Sequence, residues 1–395
     1  MPEEPFASYQ YEIYLSGTRG IVPEYPVSVA ELEKRAEEVM STEARGYVSG
    51  AAGSESTMRA NLEAFARSRL VPRMLRDVNS RRLSTRILET EMPAPLLLAP
   101  IGVQGIVHKE AELAPARAAA SLGIPVVLST AASRTMEEVA EACGSAPRWF
   151  QLYWPNDPEL TESLLRRAQN AGYEAVVVTL DTPLLAWRPR DLQAGFLPFL
   201  KGEGLANYFS DPVFRNGLDK SPEEDLGAAV LRWVSVFSNP GATWGDLEFL
   251  RQKTRLPIVL KGILHEDDAK RAADVGVDGV VVSNHGGRQV DGAIATLEAL
   301  PNISAAVGDR LTVLLDGGIR TGADIVKALA LGASAVLLGR PYIWGLAVGG
   351  EDGVRQVLRG LLAELDLSVA LCGYSSIHDL GPEVVRGMET TAPRP

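Results

Sequence analysis

The stretch TVLLDGGIRTGADIVKALALGASAVLLGR, residues 312–340, reads as a strand over 312–316, a glycine-rich turn, a helix over 322–331 and a second strand over 335–339. Both strands are apolar runs without clean polar alternation, as expected of parallel strands buried on both faces. The intervening segment has helical spacing of its apolar residues, so the unit is a βαβ crossover.

Working outward, the same unit recurs. Further apolar runs lie at 95–99 (PLLLA), 125–129 (PVVLS), 148–153 (RWFQLY), 175–180 (AVVVTL), 257–261 (PIVLK) and 279–283 (GVVVS), which makes eight strands. Crossover helices are expected at 111–121, 134–142, 157–171, 245–254, 266–275, 294–306, 322–331 and 351–371. Eight βα units closing on themselves form a (β/α)8 TIM barrel of the α/β class. The competing doubly wound sheet would carry GxGxxG after its first strand, and that motif is absent. The chain divides into an N-terminal helical extension (1–94), the barrel (95–371) and a C-terminal tail (372–395). Helices are expected within 28–65, and a long lid insertion (182–244) follows the fourth strand. Such an insertion is a functional lid or disordered. Trp187, Phe196, Phe199, Tyr208, Phe214, Trp233 and Phe237 make it too aromatic for disorder, so some helix is expected there.

Composition narrows the function. There are 39 basic against 50 acidic residues and a net charge of −11, which argues against nucleic-acid binding. No run of apolar residues is long enough to span a membrane. The start MPEEPF lacks the features of a secretory signal, and the ending Pro393-Arg394-Pro395 is no targeting address. A cytoplasmic protein is expected. Two cysteines, Cys143 and Cys372, make no disulfide framework, and four histidines without HExxH make no metal site. No Lys follows a Gly, so a GxxxxGK[ST] phosphate loop is absent.

In a barrel the chemistry sits at the C-terminal ends of the strands. Read there, the sequence places a Lys, a His, three Arg and two Asp at one mouth. Asp316-Gly-Gly-Ile-Arg320 before a helix, with Gly339-Arg340 after the next strand, reads as a phosphate site. The alternative is two ordinary turns with solvent-facing arginines. Ser283-Asn-His285-Gly-Gly-Arg288 pairs an imidazole base with a guanidinium suited to a carboxylate substrate. The alternative is a histidine that only satisfies backbone groups. Asp181 is placed to orient His285, or else caps a helix. Lys261 ends an apolar strand and needs an anionic partner, a reduced flavin, a phosphate or a structural carboxylate. Tyr47 and Tyr153 read equally as site residues or core aromatics. His265 reads as a surface residue, and the aromatics of the insertion as packing.

The segments SNHGGRQ (283–289), LDGGIR (315–320), TLDT (179–182) and FQLY (150–153) together resemble the FMN-dependent α-hydroxy acid oxidases and dehydrogenases. YEIY (11–14), APIGV (99–103), WRPRDL (187–192), DPVF (211–214) and the long insertion look most like the lactate 2-monooxygenase branch. The resemblance implies FMN as cofactor, with L-lactate or a similar small 2-hydroxy acid and O2 as substrates. It also implies a homotetramer or homo-octamer. His285 would be the base with Asp181 as its partner. Arg288 and Arg188 would hold the substrate carboxylate, with Tyr47 and Tyr153 on the carboxylate and hydroxyl. Lys261 would neutralise the reduced ring. Pro100, Ile101 and Gly102 would run beside the flavin, with Ser129, Gln151, Thr179 and Ser283 as further flavin contacts. Asp316, Gly318, Arg320, Gly339 and Arg340 would take the ribityl chain and phosphate. Ala131 stands where glycolate oxidase has Trp, which leaves room for a substrate side chain. Gly102, where many oxidases carry Ala, implies room for the keto acid to remain. A dehydrogenase barrel of another kind would need a nucleophilic cysteine on an active-site loop, but Cys143 lies on or after a helix and Cys372 near the chain end. A non-catalytic barrel would have no reason to keep His285, Arg288, Asp181 and Lys261 at one mouth.

Overall fold

The computed structural model describes residues 5–387, so Pro393-Arg394-Pro395 and the start of MPEEPF lie outside the described residues. Eight parallel strands close into a barrel: β1 (Leu96–Leu98), β2 (Val126–Ser129), β3 (Arg148–Tyr153), β4 (Val176–Thr179), β5 (Ile258–Ile263), β6 (Gly279–Val282), β7 (Thr312–Leu315) and β8 (Ala335–Leu338). Each pairs with its sequence neighbour and β8 returns to β1. The outer helices are α1 (Leu113–Ala120), α2 (Met136–Cys143), α3 (Pro158–Asn170), α4 (Leu247–Lys253), α5 (Glu266–Asp274), α6 (Thr296–Val307), α7 (Gly322–Ala330) and α8 (Arg340–Leu371). Among the described residues no helix is long and apolar enough to cross a membrane.

The two-residue period of the strands sorts their side chains into two cores. Leu97, Val127, Trp149, Val177, Val259, Val281, Leu314 and Leu337 fill the barrel interior. Their sequence neighbours, such as Leu98, Leu128, Phe150, Val178, Leu260, Val282, Leu315 and Leu338, pack outward beneath the helices. The same inward parity gives Ala99, Ser129, Gln151, Tyr153, Thr179, Asp181, Lys261, Ser283, Asp316 and Gly339 at the C-terminal ends of the strands. The same alternation that builds the core therefore carries the polar residues to one end.

Three features depart from the sequence reading. The N-terminal extension holds the expected helices (Val29–Val39, Thr42–Ser49, Ser56–Arg67), but also an antiparallel hairpin of Thr85–Ile87 and Thr90–Met92. Ile87 and Met92 join the interior core, and Thr90 accepts the Trp149 indole N–H at 2.8 Å, so the hairpin plugs the barrel floor. Three-residue strands are too short to show a period. The C-terminal segment also pairs with the extension, Arg69 opposite Arg386 and Leu70 opposite Val385. Lastly, α8 begins at Arg340, well before 351, and breaks at Gly349–Gly350. Its first part is buried all round from Pro341 to Leu346, which hides the helical period.

The insertion is built of short helices, Pro189–Ala194, Ala206–Phe209, Pro212–Asn216 and Leu226–Val236, with a 3-10 turn at Pro198–Lys201. Polar anchors tie it down. Asp211 caps the Pro212–Asn216 helix and accepts from Ser163 Oγ (2.9 Å) and Arg167 Nη1 (3.1 Å) of α3. Asn207 accepts from Met136 N at 2.8 Å and donates to Thr130 O at 3.2 Å.

Candidate active site

At the C-terminal end of the barrel lies a cleft of about 320 Å³, a size ordinary for small-molecule sites. It is lined by Tyr47, Pro100, Ile101, Gly102, Tyr153, Arg188, Lys261, His285, Arg288, Asp316, Gly318, Arg320, Gly339 and Arg340, all expected there from sequence. Ser129, Gln151, Thr179, Asp181 and Ser283 do not line it, Asp181 lying behind His285. Ser129 Oγ donates to Gln151 Oε1 (2.8 Å) and Gln151 Nε2 to Thr179 Oγ1 (2.9 Å), a buried row across β2, β3 and β4. Ser283 Oγ accepts from Lys261 Nζ (2.9 Å) and from His285 N (3.1 Å).

The loop after β6 carries His285 on a left-handed backbone (φ +59°), followed by Gly286 and Gly287 in the same region. Gly287 is required there: a Cβ would come within 2.6 Å of Met58 N in the Ser56–Arg67 helix. This tight turn lifts the imidazole into the cleft. Nδ1 lies 2.7 Å from Asp181 Oδ1, which fixes the tautomer as Nδ1–H donating to the carboxylate. Nε2 is thus left with its lone pair facing the cleft, 3.5 Å from the Tyr153 hydroxyl. Burial pushes the imidazole below its ordinary value, and Lys261 and Arg188 add to this against the pull of Asp181. Burial raises the Asp181 carboxyl, but His285 and Lys261 outweigh it and hold it below the carboxylate range. At neutral pH the pair is a neutral base resting on a carboxylate. Tyr153 stays a phenol, pushed up by burial.

Lys261 sits 3.1 Å from Asp316 Oδ2. Burial alone would lower it, yet Asp316 and Asp181 keep it raised, so it is an ammonium. The arginines are held differently. Arg288 Nη1 donates to the carbonyls of Tyr47 and Gly50, and its guanidinium lies 4.8 Å from the centre of the Tyr47 ring. Arg188 donates from Nε to Arg288 O (3.0 Å) and from Nη2 to Gln289 Oε1 (2.8 Å). Arg340 donates to the carbonyls of Val48, Gly286 and Gly50 at 3.0–3.1 Å. Arg320 donates to Ile319 O (2.9 Å) and covers the Trp344 ring. Burial and the neighbouring guanidiniums push Arg188 down to about 10 and Arg340 to about 9, which still leaves both charged at neutral pH. Asp191, 4.0 Å from Arg288 Nη2, is too far for a hydrogen bond.

The sequence reading makes the insertion a lid over the mouth, with its aromatics as packing rather than substrate contacts. Phe199, Trp233 and Phe237 do pack together, with centroids 4.7–6.3 Å apart, but they also roof the cleft. Only an inward-facing helical period in 226–236 signals this. Gln289 was missed: besides Arg188, it donates to Asp181 O and so joins the arginine to the dyad. Cys143 and Cys372 are buried away from the cleft, so no cysteine nucleophile serves it. His265 is exposed and caps α5.

A family model described as FMN-dependent dehydrogenase matches residues 36–387. The chain is 47% identical over 390 residues to the FMN-dependent alpha-hydroxy acid dehydrogenase qulF of Penicillium citrinum, covering 98% of this chain and 97% of that one. It is 45% identical over 356 residues to an L-lactate oxidase of Lysinibacillus sphaericus (strain C3-41), covering 90% and 92%. The solved structure of mandelate oxidase with (S)-4-hydroxymandelic acid superposes with a TM-score of 0.81 at 41% identity, covering 91% and 98%.

The residues present fit FMN. Among the described residues, Asp316 Oδ1 and Arg288 Nη2 are buried at the cleft without a hydrogen-bond partner. Buried polar atoms need partners, and a flavin with its ribityl phosphate, together with a carboxylate substrate, offers them. The converging guanidiniums call for a strongly anionic group in the same way. The chain belongs to the FMN-dependent dehydrogenase family, in its α-hydroxy acid oxidoreductase group, and its cofactor is FMN.

Proposed function

We propose that this protein oxidises a small L-2-hydroxy acid, L-lactate, with O2, and holds the keto acid until it is converted to acetate, CO2 and water. The observation that carries the reading is the pairing of a neutral base, His285 on Asp181, with two guanidiniums in one roofed cleft. Arg288 and Arg188 take the substrate carboxylate, Arg288 through its unpartnered Nη2. Tyr47 braces Arg288 through its ring and its carbonyl. The substrate hydroxyl then faces His285 Nε2 and the Tyr153 hydroxyl, and His285 takes its proton. Asp181 stabilises the imidazolium that forms. FMN, when bound, would supply the acceptor for the Cα hydrogen with its bonding pair, and O2 would take that hydride equivalent together with the proton held on His285 to leave as H2O2. Lys261 offsets the charge that this adds, with Ser129, Gln151, Thr179 and Ser283 behind it. Arg320, Arg340, Asp316, Gly318 and Gly339 hold the ribityl phosphate, and Pro100, Ile101 and Gly102 line the ring.

Retention is the finer part of the proposal. Phe199, Trp233 and Phe237 cover the cleft, and the insertion that carries them is anchored by buried Asp211 and Asn207. A keto acid kept beneath this roof meets the H2O2 formed beside it: pyruvate and H2O2 give acetate, CO2 and H2O. Product analysis with L-lactate in air tests this. Acetate and CO2 support it, and stoichiometric pyruvate and H2O2 would make the protein an oxidase. A larger aromatic hydroxy acid is a second reading, favoured by the apolar wall of Ala131, Leu184, Leu185 and Phe237. A kcat/KM for (S)-mandelate above that for L-lactate would select it.

A further inference from the structure

We propose that Glu112 is a positioning residue that locks the turn carrying Pro100, Ile101 and Gly102 against the turn carrying Ala131, and so sets one wall of the cleft. The inference rests on that cleft being the site of oxidation. Glu112 stands just before α1, outside the cleft, and is 2% exposed. Its Oε1 accepts from Gln104 N (3.2 Å) and Ser133 N (3.1 Å), and its Oε2 from Arg134 N (3.0 Å). One carboxyl thus takes three main-chain N–H groups from the loops after β1 and β2. No cationic side chain among the described residues pairs with it. The Arg134 guanidinium turns to Lys109 O, and Arg117 pairs with Glu110 and Glu351. His108 Nδ1 is taken by Glu110 N. Tyr342, from α8, is the ionisable side chain that faces it.

What the lock holds is strained and close-fitting. Val103, a β-branched residue, sits at φ +67°, a conformation that persists only where its surroundings over-determine it. Val103 N donates to Ala131 O (3.0 Å) and Gly105 N to Ser133 Oγ (3.0 Å). Gln104 Nε2 donates to Ile101 O (3.3 Å) and to the Tyr342 hydroxyl (3.2 Å), which in turn donates to Ala99 O (2.9 Å). A Cβ at Gly102 would lie 3.0 Å from Ala131 O and 3.1 Å from Ala131 Cβ. A shift of a few tenths of an ångström between these turns therefore alters the cleft wall.

The lock is also sensitive to pH. Burial pushes the Glu112 carboxyl up to about 7, against the pull of those three N–H groups and its own main-chain N–H. When protonated on Oε2, it still accepts two N–H groups at Oε1 and one at Oε2. When ionised, it is a buried charge without a counter-ion. An opened state that hydrates Glu112 restores its ordinary value near 4.5, so the closed turn loses stability as pH rises from there through about 7.

Hydrogen exchange of the FMN-loaded protein, corrected for intrinsic chemistry, tests this at the amides of Gln104, Ser133 and Arg134. Protection is expected to fall roughly tenfold between pH 6 and 8 in the native chain and to stay flat in Glu112→Gln. Glu112→Ala should slow anaerobic flavin reduction about tenfold with KM within about twofold, and Glu112→Gln should recover most of that rate. Flat protection in the native chain, or a step of the same size in Glu112→Gln, overturns the proposal. So does native-like reduction in Glu112→Ala. Exchange in the native chain decides even if a variant fails to fold. It also reads the amides whatever the substrate, so a failed hydroxy-acid assignment would leave the exchange step in place.

Discussion

The two halves of the cleft treat charge in opposite ways. In one, Lys261 on β5 rests on Asp316 after β7, and His285 on Asp181, so every charge in this set has a side-chain partner. In the other, Arg188, Arg288, Arg320 and Arg340, from the segments after β4, β6, β7 and β8, are held by main-chain carbonyls and a glutamine amide, with no side-chain carboxylate of the described residues in hydrogen-bond reach of their guanidiniums. A locally balanced set can move a proton without a large cost. A set of buried cations held only by dipoles is an anion holder. The difference teaches that a proton-transfer site and an anion-binding site can share one cleft because the compensating charges belong to only one set.

Removing the base should break the first half alone. His285→Ala is expected to slow anaerobic flavin reduction by roughly 10²–10⁴-fold while FMN stays bound. Stopped-flow reduction near the native rate would move the base elsewhere. The arginine half should respond to shape as well as charge. Arg288→Lys and Arg188→Lys should each lower kcat/KM by about 10–100-fold, because lysine cannot present the fork that meets a carboxylate. If the methyl ester of the substrate is oxidised as well as the free acid, neither arginine holds a carboxylate.

A smaller effect sharpens the comparison through pH. Burial lowers His285, so the base is already free at pH 7 and flavin reduction should be flat from there to pH 8. Its rate should fall only as pH drops below the ordinary histidine value of 6.5. The contribution of His285 to folding has the same sign: it is present above 6.5 and lost as pH falls through the lowered value. A rate that keeps climbing from pH 7 to 8 would mean a base with a raised value. The smallest effect concerns products. Gly102→Ala presses a methyl group onto Ala131 within about 3 Å, and should shift products toward free pyruvate and H2O2 with only a modest change in flavin reduction. An unchanged acetate yield would show that Gly102 does not govern retention.

The barrel was legible because its eight apolar runs and their helices are long enough to show a period. Part of the cleft lining was legible because inward parity carries directly from core residues such as Val259 to Lys261, whereas His285 reaches the cleft through a left-handed turn beyond its strand. What stayed hidden lacks a local signal. The Thr85–Met92 hairpin is too short for periodicity, and the first part of α8 is buried on every side. The helical period of 226–236 shows Trp233 facing inward, but the roof role of Phe199 depends on how the insertion folds back. Glu112 reads as an ordinary helix-start acid until the loops it joins are seen together.

The division between the two halves is tested most directly by titrating FMN into the apo-protein of two variants. His285→Ala should bind FMN with a Kd within about twofold of the native chain. Arg340→Leu should bind roughly 30-fold or more weakly, since truncating one member of a buried charged pair costs about 2–5 kcal/mol. Equal losses in both, or native affinity in Arg340→Leu, would contradict a separate anion-holding half.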